Sequence, residues 1–107
     1  MIDTTILRRL SATIAERKQA DPADSYVASL FGKGHAEILR KVAEESAETL
    51  LAAKDGDKLH IVSETADLWF HCLVLLAWHG LSSDEVLAEL QRREGVSGID
   101  EKAARKK

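Results

Sequence analysis

The chain has 107 residues, 45% of them apolar, which is enough for one compact core and not for two. Fifteen Lys and Arg against eighteen Asp and Glu leave a net charge of −3, so nothing in the overall charge favours nucleic acid or an anionic membrane, and any phosphate chemistry must be local. The longest uninterrupted apolar run, Cys72 to Trp78, is only seven residues, Cys72 has no second cysteine to pair with, and no apolar signal core follows a basic start; a cytoplasmic chain with no membrane partner is expected.

Ala and Leu together supply 29 residues, proline occurs once, and the glycines fall at 32 and 34, 56, 80, and 95 and 98. These breaks leave blocks long enough for helices and too long for typical strands, so the spacing predicts an all-α chain. In chain order, a first helix over Thr4–Gln19 carries Ile6, Leu7, Leu10 and Ile14 at helical spacing and stops at Asp21-Pro22. Ser25 to Phe31 reads as a helical turn that opens into a Gly32-Lys33-Gly34 loop. A long helix over His35–Lys54 ends at Asp55-Gly56, and a second begins at the Asp57 cap and reaches His79. A fourth helix starts at Ser82, with Glu85 completing a capping box, and reaches Arg93. The folded domain is expected over 1–95, with a flexible, frayed tail over 96–107.

At 100° per residue, Glu44, Lys41, Glu48 and Glu45 fall within one third of the circumference of the His35–Lys54 helix, opposite Ile38, Val42, Leu39, Leu50 and Leu51. Alone, such a charged face is ordinarily just solvated surface. The next helix is apolar nearly all round, yet Glu64 and Asp67 interrupt it three residues apart on one face. Unpaired carboxylates in such surroundings cost several kcal/mol each. Between Glu37 and Asp67 the acids outnumber the bases by eight to four, and Lys54 and Lys58 sit near the turn. If the two helices pack antiparallel through Gly56, Glu48 and Glu64 each lie about eight residues from the turn and the acidic pairs face each other. An all-oxygen set of this kind suits Mg²⁺ or Mn²⁺ better than Zn²⁺.

The arrangement Glu44-Glu45-x-x-Glu48 followed by Glu64-x-x-Asp67 resembles the acidic signature of the MazG-like all-α nucleotide pyrophosphohydrolases. A wider pattern is similar to the phosphoribosyl-ATP pyrophosphohydrolase family of histidine biosynthesis. It comprises Ser25-Tyr26-Val27-Ala28-Ser29-Leu30-Phe31, Gly32-Lys33-Gly34, Lys41-Val42-Ala43-Glu44-Glu45, Ala52-Ala53-Lys54-Asp55-Gly56-Asp57, Glu64-Thr65-Ala66-Asp67-Leu68 and His71-Cys72-Leu73-Val74-Leu75-Leu76, and the likeness spans about residues 4 to 94. Ser46 and Thr65 depart from it, standing where that family often has alanine. The resemblance implies a four-helix MazG-like bundle packed as a homodimer, and Mg²⁺-dependent hydrolysis of phosphoribosyl-ATP to phosphoribosyl-AMP and pyrophosphate.

For that reaction Glu45, Glu48, Glu64 and Asp67 are the candidate metal ligands, and Glu44 is either a further ligand or the base that orients water. Lys33, Lys41 and Lys54 are candidate phosphate contacts, Lys41 also being placed to relieve repulsion among its glutamates. His71 is expected to be a hydrogen-bonded interior residue, Cys72 a small core residue, and Trp69, Phe70 and Trp78 core or dimer contacts. Four short helices cannot wrap the apolar one, which independently argues for a homodimer. Two other readings stay open: a house-cleaning nucleoside triphosphate pyrophosphatase of the same fold, and a non-catalytic helical dimerisation module.

Overall fold

A computed structural model describes residues 1–105; the last two residues of the expected tail, Lys106 and Lys107, lie outside the described residues. Six helices follow one another, α1 (Ile6–Arg17), α2 (Tyr26–Lys33), α3 (His35–Asp55), α4 (Lys58–Trp78), α5 (Ser83–Arg93) and α6 (Gly98–Arg105), with no strand among the described residues. The all-α expectation therefore holds, with six helices in place of the four expected. Ser25 caps α2 by accepting from the Ala28 backbone N–H, and the helix runs through Gly32 to Lys33. The expected open loop at 32–34 is thus reduced to Gly34, whose φ of +99° only glycine adopts readily. Past Gly95, where a frayed tail is expected, α6 forms instead and turns Glu101 inward, 2.6 Å from an Arg92 guanidinium nitrogen, with Arg93 and Arg105 also within 4.0 Å.

The expected antiparallel hairpin is the centre of the fold. Gly56 closes α3 in the left-handed conformation, and the Asp57 carboxylate caps α4 by accepting from the Leu59 and His60 N–H groups. Cross-hairpin contacts fix the direction. The Thr49 hydroxyl lies 3.2 Å from the Glu64 carbonyl, and at the other end His35 meets His79 at 3.1 Å, so residues pair symmetrically about the turn. The Ser82–Glu85 capping box starts α5 as the sequence predicts.

The core lies at one end of this hairpin. Ile14 of α1, Val27 and Leu30 of α2, Ile38 of α3, and Leu73, Val74 and Ala77 of α4 are buried together. Ile38→Ala is expected to lower the unfolding free energy by about 2–5 kcal/mol, because its 0% exposed side chain would leave a cavity. An unfolding free energy from urea titration within about 1 kcal/mol of the parent would contradict this placement.

The turn half of the hairpin has no such cover. Leu50 and Leu51 on α3 and Leu59 and Val62 on α4 are exposed, as is Trp69 further along α4. By length and composition α4 is apolar enough to cross a membrane, which a count of uninterrupted apolar residues does not register. Glu64 and Asp67 interrupt it, and α1 and α3 pack against it, as on a core helix.

Candidate active site

The middle of the hairpin, between the packed end and the bare end, brings together Glu45 and Glu48 of α3 and Glu64 of α4. Each offers a carboxylate oxygen within 4.8 Å of the others. Thr49 braces this point: its hydroxyl is 2.8 Å from the Glu45 carbonyl and 3.2 Å from that of Glu64, which holds the two helices in register beside the carboxylates. Glu45 is buried, Glu64 is half-buried and Glu48 faces solvent, so the group opens to one side.

Charge compensation is incomplete. Lys41 Nζ lies 3.4 Å from Glu45 Oε1, and His60 Nε2 lies 3.2 Å from Glu64 Oε1. The second oxygens, Glu45 Oε2 and Glu64 Oε2, are enclosed and accept no hydrogen bond among the described residues. Buried acceptors of this kind are normally satisfied. Three carboxylates within reach of one another, two of them holding an unpartnered oxygen, fit a hard divalent cation with all-oxygen ligands, and Glu48 leaves room to the solvent side for water.

Other expected site residues lie apart from this group. Glu44 uses both oxygens elsewhere, accepting from Lys41 Nζ at 2.9 Å and Arg40 Nη1 at 2.7 Å. These bonds, that from Lys41 foremost, hold its carboxyl below the usual range, and the bond to Glu44 raises Lys41. Arg40 also forks onto Glu37 at 2.7 and 2.9 Å. Asp67, expected as a ligand inside an apolar environment, is instead exposed and outside the three-carboxylate group. Lys41 is half-buried against the glutamates, relieving their repulsion as expected. Lys33 is the exposed last residue of α2, not a loop residue between glycines, and Lys54 is exposed in the last turn of α3.

His71 is the interior hydrogen-bonded histidine the sequence predicts. Its Nδ1 is 2.7 Å from the Asp67 carbonyl, which only accepts, so Nδ1 carries the proton and Nε2 accepts from the Tyr26 hydroxyl at 2.8 Å. Both ring nitrogens are engaged, which leaves none for a metal. Burial raises the Tyr26 phenol. Burial likewise raises the Cys72 thiol, against a role as a nucleophile. Sequence reasoning gives no role to Tyr26, Arg40, Thr49 or His60. The i,i+4 spacings Arg40–Glu44 and His60–Glu64 are a signal for two of them; Tyr26 and Thr49 act across the fold and have none.

The sequence profile of the family described as phosphoribosyl-ATP pyrophosphohydrolase matches residues 7–94. The chain belongs to that family. Among relatives named phosphoribosyl-ATP pyrophosphatase, one from Nitrosospira multiformis is 68% identical over 106 residues, covering 99% of this chain and 88% of its own length. Another, from Azoarcus sp., is 65% identical and covers 99% of both chains. A third, from Neisseria gonorrhoeae, is 54% identical over 94% of each. The phosphoribosyl-ATP pyrophosphohydrolase profile stops at residue 94, ahead of α6, whereas the first two alignments run on into that segment.

Proposed function

We propose that this chain hydrolyses the α–β phosphoanhydride of 1-(5-phosphoribosyl)-ATP to phosphoribosyl-AMP and pyrophosphate, the second step of histidine biosynthesis. The observation that carries the reading is the pair of enclosed carboxylate oxygens, Glu45 Oε2 and Glu64 Oε2, left without donors beside Glu48 in a chain of this family. Glu45, Glu48 and Glu64 hold Mg²⁺, with Mn²⁺ an alternative, and Asp67 is assigned as a further ligand reached from its exposed position. When bound, the ion neutralises charge developing on the phosphate oxygens and stabilises the pyrophosphate leaving group.

The protein's own groups do the positioning. Glu44, held ionised by Lys41 and Arg40 through one lone pair on each oxygen, orients the attacking water through a remaining one. Lys41 is the phosphate contact nearest the carboxylates, and Lys33 and Lys54 approach the anionic substrate from the end of α2 and the hairpin tip. Orientation of water, phosphorus and leaving group is where most of the barrier reduction lies.

The active form is a homodimer. An open apolar groove of about 290 Å³ lies between α1, α4 and α5 and a second, of about 270 Å³, runs along α4; Trp69 lines both. A second copy laid on this face would cover the apolar surface of the hairpin next to each carboxylate group.

The test is pyrophosphate release from phosphoribosyl-ATP compared with a panel of nucleoside triphosphates, with and without Mg²⁺. Turnover of phosphoribosyl-ATP above the panel, abolished by chelation, is expected. Turnover of another triphosphate alone would transfer the assignment to a house-cleaning pyrophosphatase, and no turnover with no Mg²⁺ binding would leave a dimerisation module.

A further inference from the structure

At the end of the hairpin opposite Gly56, a second group of ligating atoms converges. His35, in the first turn of α3, and His79, the residue that caps α4, bring their Nε2 atoms to 3.1 Å, with the rings edge to face and centroids 5.0 Å apart. The His35 ring stacks on Trp78 at 5.6 Å, and Trp78 stacks in turn on Phe31 at 5.6 Å, so its orientation is fixed by packing. The pair is open to solvent and stands about 15 Å along α3 from Glu45. One proton links the two nitrogens. His35 sits at the start of one helix and His79 at the end of another.

With that proton displaced, two imidazole lone pairs are free on nitrogens 3.1 Å apart. Two bonds of about 2.05 Å, the usual length from imidazole to a borderline divalent ion, span 3.1 Å at an angle of about 98°, between square and tetrahedral geometry. We propose that His35 and His79 form a chelate site for a borderline transition ion, Cu²⁺, Ni²⁺ or Zn²⁺, with water in the remaining positions. The site is chemically separate from the carboxylate group: imidazole selects these ions, whereas Mg²⁺ prefers oxygen. Bound there, the ion ties the start of α3 to the end of α4, just beyond the core layer formed by Val74 and Ala77. The proposal stands or falls independently of the pyrophosphohydrolase reading.

Trp78 against His35 supplies the probe. The untagged full-length chain, held in excess Mg²⁺, is titrated with CuCl₂ and with NiCl₂ while tryptophan emission is followed. Saturable quenching at one ion per chain is expected. His35→Gln and His79→Gln are each expected to raise the midpoint at least tenfold, as is lowering the pH to 5.5, because the ion competes with protons for imidazole. Glu48→Gln and His60→Gln are expected to leave it unchanged. A wild-type midpoint in either His35→Gln or His79→Gln, or a midpoint that moves with Glu48→Gln or His60→Gln, would overturn the assignment.

Discussion

Glu45→Gln and Glu64→Gln are each expected to lower kcat/KM for phosphoribosyl-ATP by about 100-fold or more, equivalent to about 2.7 kcal/mol of lost transition-state stabilisation. Without Mg²⁺ the same variants are expected to be no less stable than the parent. Each removes a charge whose second oxygen is enclosed without a donor and which lies close to two other carboxylates, and the Lys41 ammonium facing Glu45 at 3.4 Å keeps its 2.9 Å bond to Glu44. The side chain facing Glu64 is a half-exposed histidine, and removal of that contact has little effect on stability. Two measurements decide it: steady-state pyrophosphate release, and the rise in Tm on adding Mg²⁺, which the parent shows by mass action and the variants lack. Variants that keep near-parental activity, or that unfold readily while the parent gains nothing from Mg²⁺, would mean that these acids are structural.

The second large effect concerns Trp69. Trp69→Asp is expected to weaken self-association by about 2–4 kcal/mol, roughly 30- to 1,000-fold in Kd, since a large exposed aromatic shared by two adjacent apolar grooves has the character of an interface anchor. The side chain is 57% exposed in the single chain, so the substitution does not disturb the packed core. Light scattering should report a mass twice the 11.8 kDa chain for the parent and once that value for the variant at the same concentration. A parent that is monomeric at tens of micromolar, or a variant that stays dimeric, would remove this face from the interface.

What the sequence revealed and what it hid follow the range of the interactions involved. Glu48 and Glu64 lie at equal chain distance from Gly56, and a glycine stop followed by an aspartate cap permits only a tight antiparallel return, so their meeting follows from local rules. Glu45 joins them by helical periodicity. Glu44 is adjacent in sequence, but 100° of rotation places it beside Arg40 and Lys41, whose i,i+4 and i,i+3 bonds capture both its oxygens. Asp67 has the spacing of a ligand and an exposed position: the composition of α4 implies burial all round, whereas the single chain covers only part of its circumference. The Tyr26–His71 bond joins residues 45 apart, and no pattern announces it. In the same way α6 depends on Glu101 finding Arg92, a tertiary partner that a polar composition conceals.

The two-residue link at Gly56 and Asp57 makes the hairpin a ruler. Every residue added to one arm between Glu48 and Glu64 advances that arm by about 1.5 Å and turns its carboxylates by about 100°, out of reach of those opposite. Insertions and deletions should accordingly be tolerated in the segment around Pro22 and beyond Glu94, while the stretch from 45 to 64 keeps a fixed length even where its side chains change.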